Sequence, residues 1–501
     1  MENGKNVAAP ADLTKKILRI SELMQSSGVA FGTSGARGLV SQMTDEICRA
    51  YVSAFLETMS RAFVFDRVAL GIDLRPSSPG IAKACAAAIR AGGARVDYCG
   101  PTPTPALALY ALAEGVPAVM VSGSHIPFDR NGIKFYRPDG EISKADENDI
   151  TAAVVSLSET AAPGALDAVN PMALLRYERR VLDFFPSALL SGLHLGLYEH
   201  SSVSRDVFRQ ILVGLGASVT SLERTGEFVP IDTEAVSEED MRRGRKWAEE
   251  YGFDAIISTD GDGDRPLLAD ENGTWMRGDI VGLICARFLG AHTVVVPVSC
   301  NTAIEQCGAF KRVVRTRIGS PYVIAGMETS PGDEASSIVG FEANGGFLVG
   351  STFFREGRIL EPLPTRDAVL PVLAVLAEAG ERGGAVSDLV RDLPKRFTFS
   401  DRLRDFPTKL SRDMIDDFFK HSEKLHQYLA PQGQSLTALD MTDGLRATFS
   451  NGEIVHLRPS GNSPELRCYC EADSDERARK LTVEALKRIG GQVSEIMERV
   501  K

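Results

Sequence analysis

The feature that most restricts the fold is a repeated alternation of short apolar runs with longer amphipathic segments. Val68–Ile72, Val96–Tyr98 and Ala118–Val121 have the length and composition of buried strands, and Pro79–Ala91 and Ala106–Glu114 between them read as helices. Strand–helix–strand order of this kind builds a doubly wound layer with helices covering a sheet. The order returns in Leu193–Tyr198, Arg205–Leu215, Ser218–Leu222, Met241–Tyr251 and Asp254–Ser258. It returns again from Asp279–Leu289 through Thr293–Pro297, Asn301–Cys307, Arg312–Arg315 and Ser337–Gly340 to Arg366–Ala379, with no residue-level repeat. From Ala385 the alternation stops: helices come first, then strands Gly444–Phe449, Glu453–Leu457 and Leu466–Glu471, and a last helix Asp475–Arg499. Two flanking segments, about Asp12–Gln25 and Lys144–Ser158, read as further helices. The expectation is an α/β protein with three similar mixed α/β domains and a C-terminal α+β domain. Their boundaries are 1–163, 164–274, 275–384 and 385–501.

Bulk properties exclude several function classes. At 501 residues, 44% hydrophobic and 25% charged, the chain suits about three or four globular domains. A net charge of −11 argues against non-specific nucleic-acid binding, yet leaves room for a local basic cleft around an anionic substrate. The eight cysteines form no CxxC pair and lie mostly in apolar segments, so they read as reduced core thiols of a cytoplasmic protein. The first residues show no signal pattern, and no apolar stretch approaches the ~18 residues of a membrane span.

Chemistry gathers where strands end. Ser124 follows the Ala118–Val121 run in the loop SGSHIP, the place where open α/β sheets collect ligands, and Lys134 follows after the turn Asn131-Gly132. The glycine-rich FGTSGARG (31–38) carries Arg37, whose planar donors suit phosphate. Asp260, Asp262 and Asp264 alternate with glycines directly after a strand. Three carboxylates this close repel unless a cation joins them, and oxygen ligands select a hard ion such as Mg²⁺. An EF-hand fits poorly, because Arg265 stands where its glycine belongs, although Glu271 is in place. An aspartyl-phosphate phosphatase fits little better, because Asp264 stands where a threonine is expected. Arg458, Ser460 and Asn462 make a donor-rich turn fit for one phosphate, and Glu342 and Asn344 are placed to meet sugar hydroxyls. His125 beside Ser124 suggests a Ser–His hydrolase, but adjacent side chains usually diverge and no GxSxG elbow is present. Singly, each of these loops also reads as an ordinary polar turn.

In combination, FGTSGARG, GIDLRPSS (71–78), SGSHIP with NGIKF (122–135), DGDGDR (260–265), FEANGG (341–346) and RPSGNSPELR (458–467) resemble the α-D-phosphohexomutase superfamily, phosphomannomutase/phosphoglucomutase type. The resemblance spans about residues 29–490. It implies that the domains surround a central cleft and that Ser124 is phosphorylated. Asp260, Asp262, Asp264 and the phosphate on Ser124 would hold one Mg²⁺. Arg37 and Lys134 would flank the transferring group, with Lys134 an acid/base. Arg265, Glu342 and Asn344 would bind the sugar, and Arg458, Ser460, Gly461 and Asn462 the other phosphate. The implied reaction moves phosphate reversibly between O6 and O1 of a hexose, primed by a hexose 1,6-bisphosphate. Mannose phosphates lead, glucose phosphates follow, and a phosphoglucosamine mutase or a non-catalytic phosphosugar-binding homologue are the alternatives. The implied partners are hexose phosphates, for a monomer or homodimer. The sequence departs from the family at Ile126 (usually Asn), Asn344 (usually Ser), Gly346 (usually His) and Ser320 (commonly acidic or His).

Overall fold

The computed structural model describes residues 15–32, 35–158, 165–330, 337–460 and 464–500, with side chains described through Gly491. Four main sheets carry the fold. The first runs in the order Ala30–Gly32, Gly35–Leu39, Arg130–Arg137, Ala118–Val121, Arg67–Ile72, Arg95–Pro101. The second has four strands, ordered Ser218–Leu222, His194–Tyr198, Ala255–Thr259, Pro266–Ala269. The third has five, ordered Arg312–Thr316, Thr293–Pro297, Ile338–Phe341, Phe347–Val349, Leu363–Asp367. The fourth is antiparallel throughout, from Phe397–Leu403 through Leu466–Ala472, Ile454–Pro459 and Leu445–Phe449 to Leu436–Asp440.

The first three sheets share one device. A parallel central strand turns back into an antiparallel neighbour: Ala118–Val121 into Arg130–Arg137, Ala255–Thr259 into Pro266–Ala269, and Ile338–Phe341 into Phe347–Val349. The three turns are the Ser124 loop, the acidic loop and the Glu342 loop. The repeat absent from the residues is therefore present in the backbone.

Packing explains the apolar runs. Ala118–Val121 and Thr293–Pro297 are buried at every position because helices cover both faces of their sheets. Helix Asp45–Ser60 starts at Thr44, whose Oγ1 accepts the Ile47 N–H, and its Phe55 stacks on Phe135 at 4.7 Å between centroids. The second and third units share one continuous apolar core, in which Phe185 of helix-flanking loop 185 stacks on Phe288. All eight cysteines are free. No helix among the described residues is long and apolar enough to cross a membrane.

Several expected elements are corrected. Lys15–Arg19 is a strand, not part of a helix, because it pairs antiparallel with Val154–Ser158; the helix occupies Ile20–Ser27. The same pairing ends the polar helix at Ala152, with Val155 and Leu157 turned inward in strand alternation. Arg366 and Asp367 close an edge strand, and the helix there is Val369–Arg382. Helix Asn301–Cys307 shortens to Ala303–Gln306, and strand Phe397–Leu403 precedes the main C-terminal helices. The tail 1–11 lies outside the described residues.

One prediction arises in the fourth sheet. His456 is buried, its Nε2–H donates to the Asp443 carbonyl at 2.6 Å, and Nδ1 has no partner among the described residues. Burial pulls its pKa down from 6.5 to about 4. The unfolded chain therefore binds a proton that the folded chain refuses, so stability falls as pH drops from 6.5 toward 4. The expected loss is about 3 kcal/mol in total. Urea midpoints at pH 7 and 4.5 should show this loss shrinking in His456→Gln, which keeps a donor and does not titrate. An equal loss in both proteins would contradict it.

Candidate active site

Ser124 sits just past its strand with φ 55°, in the left-handed region that a serine adopts only when the surroundings hold it there. Arg75 does the holding. Its side chain is buried against Asp73, and it donates to the carbonyls of Ser124 (2.9 Å), Ile126 (2.6 Å), Pro127 (2.7 Å) and Arg130 (2.9 Å). Its guanidinium also lies over the Phe228 ring, 3.9 Å from the centroid. Arg75→Lys cannot span these carbonyls, so the loop should loosen. We expect a loss of about 3 kcal/mol, read as a lowered thermal midpoint together with faster proteolysis after Arg130. An unchanged midpoint would show that the loop holds itself.

The hydroxyl that this loop presents meets the acidic loop. Ser124 Oγ donates to Asp260 Oδ2 at 2.5 Å, and Asp260 Oδ1 accepts the backbone N–H groups of Asp264 and Arg265. The turn closes at Gly263, whose φ is 70° and where a Cβ would overlap Ser204 Oγ. Asp262 Oδ2 accepts from Thr104 Oγ1 (2.7 Å) and from Lys134 Nζ (2.5 Å). Asp264 Oδ2 accepts from Lys134 Nζ (2.8 Å) and from Arg366 Nη2 (2.8 Å).

The electrostatics of the triad fit a cation. The three aspartates are fully buried, with candidate ligand atoms within 4.8 Å of one another. Burial, with Asp262 and Asp264 alongside, pushes the Asp260 carboxyl well above the usual range. Burial also opposes charge on Asp264, but Arg366, Lys134 and Arg265 outweigh it and hold that carboxylate below the usual range. Asp262 Oδ1 and Asp264 Oδ1 are buried without a hydrogen-bond partner among the described residues. Orphaned anionic oxygens in an all-oxygen cluster are what a hard divalent ion satisfies.

Cations wall the other side. Arg37 is partly buried, and its Nε has no hydrogen-bond partner among the described residues. Burial and the neighbouring Arg265 and Arg366 lower its pKa to about 10, which leaves it charged at neutral pH. Arg265 Nη1 donates to His125 Nδ1 at 2.8 Å. Burial and the charges of Arg265 and Arg37 keep that imidazole neutral. The expected divergence of Ser124 and His125 is corrected: Nδ1 lies 3.3 Å from Ser124 Oγ, because the left-handed backbone at Ser124 brings the two together. The Nδ1 lone pair is directed to Arg265, so the pair does not make a hydrolase base.

The remaining expected residues divide. Glu342 enters the cluster through Arg366 Nη1 at 3.2 Å. Asn344 Oδ1 accepts the Gly346 N–H at 3.0 Å, so half of that carboxamide shapes its own loop. Arg458 pairs with Asp443 at 2.9 Å, and Ser460 is buried with its N–H on the Glu465 carbonyl. Gly461 and Asn462 lie outside the described residues. A cleft of about 400 Å³ opens beside the cluster, lined among others by His125, Arg265, Glu234, Arg402, Arg467 and Tyr469. Sequence reasoning missed Arg75 and Arg366 as site residues. GIDLRPSS contained the first; no local signal marked the second.

A buried hydroxyl on a carboxylate triad, faced by fixed cations across a polar cleft, is the equipment of a phosphoryl-transfer protein. The chain matches phosphoglucomutase/phosphomannomutase alpha/beta/alpha domain I over residues 28–161, alpha/beta/alpha domain III over 277–397 and the C-terminal domain over 419–488. It is 48% identical to a phosphomannomutase of Salmonella muenchen, over 95% of this chain and 98% of that protein. A phosphomannomutase of Sinorhizobium fredii is 44% identical, over 92% and 98%. A solved phosphoglucomutase/phosphomannomutase family protein of Burkholderia thailandensis shares the fold with a TM-score of 0.72 at 18% identity, covering 93% of this chain and 97% of that one. The chain belongs to the phosphoglucomutase/phosphomannomutase family.

Proposed function

We propose that this protein is a phosphomannomutase, interconverting mannose 6-phosphate and mannose 1-phosphate and accepting glucose phosphates more slowly. The observation that carries the reading is the direct contact of Ser124 Oγ with Asp260, within a cluster where Lys134 bridges Asp262 and Asp264. Two near full-length relatives named phosphomannomutase favour mannose over glucosamine.

We assign the roles as follows. Ser124 carries the phosphoryl group and passes it to the free hydroxyl of a bound hexose phosphate, giving a hexose 1,6-bisphosphate. After that intermediate turns over in the cleft, its other phosphate returns to Ser124. Asp260, Asp262 and Asp264, with the phosphate on Ser124, would hold one Mg²⁺, which supplies charge neutralisation for the transferring group. Arg37 brings fixed donors to the same phosphoryl oxygens. Lys134, with a third N–H beyond its two aspartate bonds, serves as acid/base for the sugar hydroxyl. Arg265, Glu342 and Asn344 orient the sugar. Arg458, Ser460, Gly461 and Asn462 take the phosphate that is not reacting. Domain units at 1–163, 164–274, 275–384 and 385–501 would let the fourth close on the cleft and exclude water. Eight free cysteines, seven of them buried, favour a reducing compartment and hence the cytoplasm.

The test is intact mass with peptide mapping, before and after incubation with a hexose 1,6-bisphosphate. Gain of one phosphoryl group on Ser124, followed by turnover of mannose 1-phosphate faster than glucose 1-phosphate or glucosamine 1-phosphate, is expected. A phosphoryl group on Asp260, or none under either condition, would sink the reading.

A further inference from the structure

Two buried threonines stand on either side of Pro103, at the entry to helix Thr104–Glu114 of the first unit, and they face different ways. Thr102 Oγ1 donates to the Cys99 carbonyl at 2.7 Å and ties the entry to its own strand. Thr104 turns to the second unit. Its N–H donates to the Asp262 carbonyl at 2.9 Å, and its Oγ1 donates to Asp262 Oδ2 at 2.7 Å. One residue thus holds both the backbone and the side chain of an aspartate 158 positions away.

The clamp is short and stiff. Prolines at 103 and 105 restrict the backbone on both sides of Thr104. The Thr104 N–H lies in the first turn, where a helix has no internal acceptor for it, so it takes one from the acidic loop. That loop fits closely against the segment: a Cβ on Gly263 would stand 3.4 Å from Pro103 Cβ. Lys134 Nζ reaches the same Oδ2 at 2.5 Å, but on a long side chain that it shares with Asp264. Thr104 and Lys134 together occupy Oδ2. Oδ1, buried and without a partner among the described residues, is the oxygen that Asp262 has left to offer.

We propose that Thr104 is a positioning residue for metal binding: it takes Asp262 Oδ2 and so leaves Oδ1 to the ion. The proposal rests on the reading that Asp260, Asp262 and Asp264 hold a divalent cation. A carboxylate held at one oxygen by the Lys134 ammonium alone keeps freedom to turn about its Cβ–Cγ bond. The Thr104 hydroxyl removes that freedom before an ion arrives, so the ordering cost falls on folding and not on binding. The ion site is then a joint product of two units. The second supplies the carboxylates, and the first supplies Ser124 and the clamp.

The experiment compares Thr104→Val, Thr104→Ser and Thr102→Val with the wild type. Mn²⁺ is the probe, titrated into metal-free protein and followed by its paramagnetic signal, with the thermal midpoint of the metal-free protein read alongside. Thr104→Val keeps the shape and the N–H but lacks the hydroxyl, and it should weaken Mn²⁺ binding about tenfold or more. Thr104→Ser keeps the hydroxyl and should restore wild-type affinity. Thr102→Val loses a buried hydroxyl bond in the same segment; it should lower the thermal midpoint and leave Mn²⁺ affinity unchanged. A merely structural role for Thr104 would not separate the two valine variants. Wild-type affinity in Thr104→Val, an equal loss in Thr102→Val, or no recovery in Thr104→Ser would overturn the proposal. If Thr104→Val does not fold, Thr104→Ala takes its place against Thr104→Ser. Mn²⁺ binding by the wild type that is undiminished in the variant refutes the clamp and spares the metal site. No Mn²⁺ binding by the wild type refutes both.

Discussion

Ser124→Ala should fold normally and lose mutase turnover by roughly 10³-fold or more, as when a covalent nucleophile is deleted. The fold survives because the loop is held by Arg75 through backbone carbonyls that alanine also has. The left-handed backbone at position 124 strains alanine and serine alike, so the substitution adds little at that level. What disappears is the Oγ that meets Asp260 and would bear the phosphoryl group. Turnover of mannose 1-phosphate in the presence of excess hexose 1,6-bisphosphate is the measurement, with the phosphorylated mass peak as a second reading. A variant that keeps a tenth of the wild-type rate would mean that another group carries the phosphate.

Asp264→Asn is the second large effect, and it acts on metal, charge and stability together. In the wild type, Asp264 faces Lys134, Arg366 and Arg265 in a buried setting. Asparagine keeps the shape but leaves three cations with less counter-charge. Breaking such a buried cluster removes about 3 kcal/mol or more of stability. It also deletes one of the two orphaned carboxylate oxygens that point to a cation site. Divalent binding should weaken markedly, and activity should fall at least ~10²-fold even with magnesium raised. Titration with Mn²⁺, followed by its paramagnetic signal, reads the first expectation and steady-state rates read the second. Chelation of wild-type protein should abolish activity reversibly, which separates loss of the ion from loss of the fold. Wild-type Mn²⁺ affinity in the asparagine variant would remove Asp264 from the ligand set.

These effects share a site that was partly legible in the chain. The acidic turn and the serine loop stand out because each is short, contiguous and built of residue types with one obvious chemistry. Arg37 and Lys134 could be placed near them, but their partners could not be named. Ser124 and Asp260 are 136 residues apart, Arg366 and Asp264 are 102 apart, and Arg75 and Ser124 are 49 apart. Nothing local encodes such pairings. Arg366 read as the first residue of a helix, and only the edge strand Leu363–Asp367 turns it into the site. Gly346 read as a missing histidine, and the fold shows the Arg366 stem crowding the place where its Cβ would stand.

The sequence by itself determined the α/β architecture of the first three units, the α+β character of the last and the residue types of the Ser124 and Asp260–Asp264 loops. Hydrophobic periodicity and glycine-punctuated strand ends are properties of neighbouring residues, and they survive in one dimension. The tertiary structure decided which of the many arginines face the cluster, and it drew Lys15–Arg19 and Val154–Ser158 out of predicted helices into one ladder. It also placed three turns of the same design around one buried group of charges. Those outcomes depend on burial, where a charge must find its partner across the whole chain because no water is there to take its place.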